Sequence, residues 1–183
     1  SMKRVAVFVG TRPEGVKTAP VIAALRQRGE WDTRVIGTGQ HREMLDQVVR
    51  LFNIEVQHDL AVMRPDQTLA SLTARLITAI DEVLVAERPD LALVQGDTTT
   101  VLAAALACFY RRIPIGHVEA GLRTGNLASP FPEEANRKLA APLVSLHFAP
   151  TTTSRDNLLR EGIPDEDIVV TGNTVIDALF MEV

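Results

Sequence analysis

Apolar residues along this chain recur with two different periods. Six short runs are rich in Val, Ile and Leu and end in Gly, Pro or an acid: RVAVFV (4–9), RVIGTG (34–39), LALVQG (91–96), PIGHVE (114–119), LHFAP (146–150) and DIVVTG (167–172). Their apolar positions are continuous rather than alternating, the pattern of strands covered on both faces. Between them lie longer stretches with helical spacing. The clearest is 67–86, where Leu69, Leu72, Leu76, Ile80, Val83 and Leu84 form one face and Arg75, Asp81 and Glu82 are left for solvent. Further helices are expected to begin near Gly15, Arg42, Thr98, Glu133 and Thr152. Strand and helix alternating this often predict an α/β fold, a Rossmann-like doubly wound parallel sheet. Right-handed crossovers then bring every strand-to-helix loop to one edge, where ligands bind in such sheets.

Composition narrows the function classes. The chain has 183 residues, enough for one sizeable core, with 19 Lys and Arg against 23 Asp and Glu and a formal charge of −4. No basic block is longer than the pairs Lys3-Arg4 and Arg111-Arg112, which argues against a phosphate-neutralising surface for nucleic acid. The single Cys108 lies in an apolar helical run, so no disulfide framework exists and the thiol reads as a small buried hydrophobe. No apolar stretch approaches the roughly 20 residues that span a bilayer. A soluble, cytoplasmic protein is expected.

Four loops concentrate the polar residues that chemistry needs. In VFVGTRPEGVKTAP (7–20), a strand ending in Gly10 turns into a helix near Pro13, which should leave backbone N–H groups open as an anion site, with Arg12 and Lys17 adding charge. Glu14 there reads as an acid complementing the helix dipole. Neither G-x-G-x-x-G nor a P-loop occurs. GTGQHREMLDQV (37–48) places Gln40 and His41 at a helix start. In VQGDTTTVLAAALA (94–107), Asp97 ends a strand and is explained equally well as an N-cap or as a site acid. VEAGLRTGNLASPFPEE (118–134) ends a strand on Glu119, runs through Gly121, Gly125, Pro130 and Pro132 as an irregular, flexible loop, and returns with Glu133 and Glu134. Each acid alone has a plain structural explanation. Their convergence on one edge does not, and crowded carboxylates should raise at least one pKa, giving an acid and a base near neutrality.

GTRPEGVKTAP, QHREMLDQV, QGDTTTVLAAALACFYRRIPIGHVEAGLRTG, SPFPEEANR and TGNTVIDAL resemble the non-hydrolysing UDP-N-acetylglucosamine 2-epimerases, from Val5 to about Leu179. Departures are small: Gly15, Thr18 and Gln95 stand where members often have other residues, and Asp66 stands where an Arg is expected. The resemblance implies a GT-B fold of two Rossmann-like halves with the active site between them. Residues 1–172 would be the N-terminal half and 173–183 the start of the connection to a C-terminal domain that this chain lacks. It further implies C2 epimerisation of UDP-N-acetylglucosamine to UDP-N-acetylmannosamine through 2-acetamidoglucal and UDP, with no metal or other cofactor, in a homodimer. By motif match the catalytic acids are Asp97, Glu119 and Glu133, assigned jointly. Arg12, Lys17 and Gly10 would bind the substrate's diphosphate, and Gln40, His41 and Gln67 fall where an allosteric second substrate molecule is held. Two other readings stay open, a hydrolysing epimerase releasing N-acetylmannosamine and UDP, and a non-catalytic nucleotide-binding domain.

Overall fold

The computed structural model describes residues 2–39, 50 and 53–171. Gln40, His41, the helix expected near Arg42 and the run 172–183 lie outside the described residues, as does the side chain of Arg12. The described chain folds in the order β1 (Lys3–Val9), α1 (Arg12–Arg28), β2 (Trp31–Gly37), β3 (His58–Asp59), α2 (Leu69–Glu87), β4 (Leu91–Gln95), α3 (Thr99–Tyr110), β5 (Ile115–Val118), α4 (Glu133–Ala140), β6 (Leu146–Ala149), α5 (Thr152–Arg160) and β7 (Ile168–Val170). All pairings are parallel, in the order β3-β2-β1-β4-β5-β6-β7. This is the doubly wound Rossmann-like sheet that the alternating periods predict.

The sheet is buried on both faces, and β1 shows why its sequence has no polar alternate. Ala6 and Phe8 enter one core with Ile36, Leu76, Ile80, Val101 and Ala104 from β2, α2 and α3. Val5, Val7 and Val9 enter the opposite core with Ile22, Leu25, Trp31, Val35 and Phe148. Helices lie on both sides, so either face of the strand must be apolar. Phe8 is 1% exposed, and truncating it to Ala should cost about 3–5 kcal/mol.

Several boundaries differ from expectation, each for a local reason. β2 begins three residues before Arg34, because Trp31 and Thr33 are buried ahead of Val35. α1 begins at Arg12 rather than near Gly15: Thr11 caps it, the Glu14 N–H donating to Thr11 Oγ1 while the Glu14 carboxylate accepts from the Thr11 N–H, a reciprocal capping box. β3 was not expected at all. It is two residues long at the sheet edge, pairing with Ile36 and Gly37, and leaves no apolar run to read.

The strand order reverses between β1 and β4, so the loops after these two strands face each other across the switch point. That crevice is where the candidate residues gather.

Candidate active site at the carboxyl ends of the strands

Glu14 ties the switch point together. Its side chain is buried, with Oε2 accepting from the Gly10 N–H at 2.6 Å and the Thr11 N–H at 3.3 Å, and Oε1 accepting from the Thr98 hydroxyl across the crevice. Burial pushes its pKa up to about 7; the bonds from Thr98, Gly10 and Thr11 act against that, and the charge of Asp97 acts with it. Two expectations are corrected here. The backbone amides of Gly10 and Thr11 are not an open anion site, since the chain's own carboxylate occupies them. Glu14 does stand in the first turn of α1, as the dipole reading has it, but its side chain is buried and bonded across the crevice. The raised carboxyl is thus a residue outside the three expected acids, and burial rather than crowding is the main cause.

Asp97 is freed from capping by the same contact. The N-cap of α3 is Thr98, whose side chain makes no cap bond because its hydroxyl is given to Glu14. The Asp97 carboxylate instead accepts two bonds on Oδ2 from Arg137, 3.1 Å from Nε and 2.6 Å from Nη2. Asn136 Nδ2 donates to the Asp97 carbonyl at 2.9 Å. Thus the first turns of α4 grip both the backbone and the side chain of Asp97.

Glu119 leaves β5 in the left-handed region, φ 64°, a conformation few side-chain-bearing residues adopt. Lys17 Nζ reaches its two oxygens at 2.8 and 3.0 Å, and Gln95 Nε2 donates to Oε2 at 2.6 Å. Beneath them His117 is buried and bonded to the Gly96 carbonyl at 2.6 Å; burial lowers its pKa, so it stands neutral within the cluster.

Glu133 and Glu134 open α4 but behave differently. Glu134 is fully buried, accepting from the N–H groups of Thr124 and Gly125 at 3.0 and 2.9 Å and from Arg137 Nη1 at 3.1 Å. Burial alone would raise its pKa, yet these three donors outweigh it and hold the carboxylate low. Glu133 keeps one buried oxygen, Oε2, with no hydrogen-bond partner. It lies in the first turn of α4, four residues before Arg137.

The loop 118–134 is anchored rather than free. Besides the Glu134 bonds, Gly121 has φ 92° and packs so tightly that a Cβ would overlap the Ser154 carbonyl, which is why only Gly serves there. Gln67, expected at an allosteric position, has both amide atoms buried and unpartnered and shares no hydrogen bond with the acid cluster. Among the described residues, no three His, Cys, Asp or Glu side chains are arranged to hold a metal ion. Cys108 is fully buried and its thiol is pushed up to about 12 by burial, as its apolar setting foretold.

The structure therefore gathers three hydrogen-bonded sets at the strand ends, Lys17 and Gln95 on Glu119, Arg137 and Asn136 on Asp97 with Glu134, and Glu14 on Thr98; of these, Glu14, Gln95, Glu134, Asn136 and Arg137 were not assigned to the site by sequence reasoning. Gln95 carried a legible signal, a polar residue ending an otherwise apolar strand. Arg137 carried a fainter one, its spacing of four from Glu133.

Fold and cluster together define a Rossmann-like α/β domain with an acid-rich, cation-buffered site at its switch point. A family model described as UDP-N-acetylglucosamine 2-epimerase matches residues 23–183, and the chain belongs to this family. A UDP-N-acetylglucosamine 2-epimerase of Yersinia pestis is 59% identical over 179 residues, covering 98% of this chain and 47% of that protein. The crystal structure of the Neisseria meningitidis UDP-GlcNAc 2-epimerase bound to UDP-GlcNAc superposes with a TM-score of 0.88 at 54% identity, over 98% of this chain and 49% of that one. The Methanocaldococcus jannaschii UDP-GlcNAc 2-epimerase in complex with UDP-GlcNAc and UDP gives the same TM-score of 0.88 at 38% identity, over 97% and 49%. The chain thus spans about half the length of the relatives it matches. No helix among the described residues is long and apolar enough to cross a membrane.

Proposed function

We propose that the full-length protein carrying this chain interconverts UDP-N-acetylglucosamine and UDP-N-acetylmannosamine without net hydrolysis, residues 1–172 forming the N-terminal half of a GT-B pair and 173–183 the start of the connection between its halves. The observation that carries the reading is the clustering of Asp97, Glu119 and the first turn of α4 at the switch point beside Lys17, in a chain of this family. The hydrogen on C2 of the sugar is not adjacent to a carbonyl, so direct deprotonation is too costly. Removing it while the C1–O bond to UDP breaks sends its electron pair into a C1=C2 double bond and leaves the negative charge on the departing diphosphate. Return of a proton to the other face of C2 and re-addition of UDP complete the inversion.

Such a step needs carboxylates at C2 and cations at the diphosphate. Asp97, Glu119 and Glu133 fill the first role and Lys17 with Arg12 the second. Lys17 is bound to Glu119 before substrate arrives, so a diphosphate that draws Lys17 away also releases a Glu119 oxygen, coupling leaving-group binding to the acid that serves the sugar. Gly10 contributes a backbone without a side chain beside Lys17's helix. Gln40, His41 and Gln67 would hold a regulatory second substrate molecule, and two copies would form the dimer.

The test is proton NMR of full-length enzyme with UDP-N-acetylglucosamine in heavy water. Deuterium is expected at C2 of both recovered substrate and product, with the sugar still on UDP. Retention of the C2 hydrogen overturns the mechanism. Free N-acetylmannosamine in stoichiometric yield identifies a hydrolysing enzyme instead, and tight binding of NAD without turnover identifies a dinucleotide-binding domain.

A further inference from the structure

Among the described residues of the cluster, Arg137 is the one guanidinium that touches two acids at once. Nε and Nη2 both end on Asp97 Oδ2, and Nη1 ends on Glu134 Oε1. Its side chain is 14% exposed and that of Glu134 is 0% exposed, so the fork is shielded from solvent and its geometry is held from both ends. A planar guanidinium is the one side chain that can bridge two carboxylates at fixed angles. Glu134 is itself fixed by the amides of Thr124 and Gly125. A continuous path therefore runs from the 121–125 turn through Glu134 and Arg137 to one oxygen of Asp97.

The two ends of that path do different things. On Asp97, both donors converge on Oδ2, and among the described residues no donor meets Oδ1. One oxygen is pinned, and the side chain as a whole keeps 31% of its surface exposed. On α4, Asn136 adds a bond to the Asp97 carbonyl, so the separation between Asp97 and the first turn carrying Glu133 is set by residues 136 and 137 together. Acids that must act together on one sugar ring need such a fixed spacing.

We propose that Arg137, held by Glu134, is a positioning residue for the epimerisation reaction: it pins Asp97 through Oδ2, presents Oδ1 to the sugar, and fixes the distance from Asp97 to Glu133. The proposal rests on the functional reading above. Arg137 touches no reacting atom; it acts through Asp97.

The experiment uses full-length enzyme and follows C2 deuterium incorporation together with kcat and KM. Arg137→Ala is expected to lower kcat by about 100-fold with KM within about threefold, because placement and not binding is lost. Guanidinium ion added in solution should restore part of kcat in that variant. Arg137→Lys, a single-point cation that cannot bridge both acids, should fall between the two. Should Arg137→Ala leave the buried Glu134 charge too costly to fold, the pair Arg137→Ala with Glu134→Gln removes that charge and keeps an acceptor for the two amides; it should show the same kcat loss. Retention of kcat within about threefold in the folded variants overturns the proposal, and so does a loss that tracks thermal stability and gains nothing from guanidinium. Absence of C2 exchange in the unsubstituted enzyme overturns the functional reading and the proposal with it.

Discussion

The two ends of the parallel sheet carry the same kinds of side chain arranged to opposite effect. At the amino end, Arg4 binds Asp32 and Glu87 at 2.9 and 3.0 Å, Arg34 binds Asp32 at 3.2 Å, and His58 meets Glu87. Two guanidiniums face two carboxylates, and Asp32 is held low because the bonds and charges of Arg4 and Arg34 outweigh its desolvation. At the carboxyl end, Lys17 binds Glu119 and Arg137 binds Asp97 and Glu134, while Glu14 is bonded to Thr98 and Glu133 opens α4. Acids outnumber these cations, one carboxyl is pushed up to about 7, and a buried Glu133 oxygen has no partner. A network whose acids and cations match in this way has little net charge to offer a ligand, even though Arg34 Nε there also makes no hydrogen bond. One that is unbalanced keeps acceptors and protons in reserve, at some expense in stability, and that asymmetry locates the site.

The comparison can be tested from the largest effect down. Asp97→Asn removes a charge from the unbalanced end; C2 exchange by the full-length enzyme should fall by about 1,000-fold or more while the thermal midpoint stays near that of the parent. Comparable activity in the variant would return Asp97 to a structural role.

Glu14 makes the next prediction, through pH. Its folded pKa of about 7 lies above the ordinary 4.5, so between these values the folded protein binds the proton that the unfolded chain has released. Its contribution to stability is therefore fullest below pH 4.5 and is lost as pH rises through 7, by about 3 kcal/mol. His147 acts with the opposite sign: burial pushes it down to about 4, so stability associated with it rises from pH 4 to 6.5. Referring the parent to Glu14→Gln cancels His147. Denaturation midpoints measured across this range should converge at low pH relative to the variant and separate toward pH 8; parallel curves would show that Glu14 is not buried as described.

At the balanced end, Glu87→Ala should cost roughly 2 kcal/mol, since it takes His58's ion-pair partner and leaves Arg4 and Arg34 with Asp32 alone, at a side chain only 11% exposed. C2 exchange should not change. A loss of activity there would mean that the two ends are coupled. Smallest of all, Asp165→Ala breaks an exposed pair with Arg155, which belongs to neither network, and should shift stability by less than about 0.5 kcal/mol.

Much of this was legible in the residues. Continuous apolar strands and the 67–86 helical face lead to the doubly wound sheet, because burial on two faces imposes those periods locally. The acids Asp97, Glu119 and Glu133 stand out because they end strands or begin helices on the ligand edge. What was not legible depended on partners far away in the chain. Glu14 was read as a helix-dipole acid because nothing local announces Thr98 across the crevice. Asp97 was explained as well by an N-cap as by a site role for the same reason, and Arg137 drew no reading at all. The loop 118–134 looked flexible from its glycines and prolines, whereas two amides bound to Glu134 and a close approach to Ser154 hold it.

By itself, the sequence determined the alternation of strand and helix, the two-sided core, the edge at which loops collect and the family to which the chain belongs, since all of these are written in spacing and in runs of residues that interact with near neighbours. Tertiary structure alone decided which carboxylate is buried, which cation it meets and which oxygen is left unpaired. Those outcomes are set by desolvation and by hydrogen bonds between residues up to 102 positions apart, as for Lys17 and Glu119, and they come into being only when the sheet has closed around them.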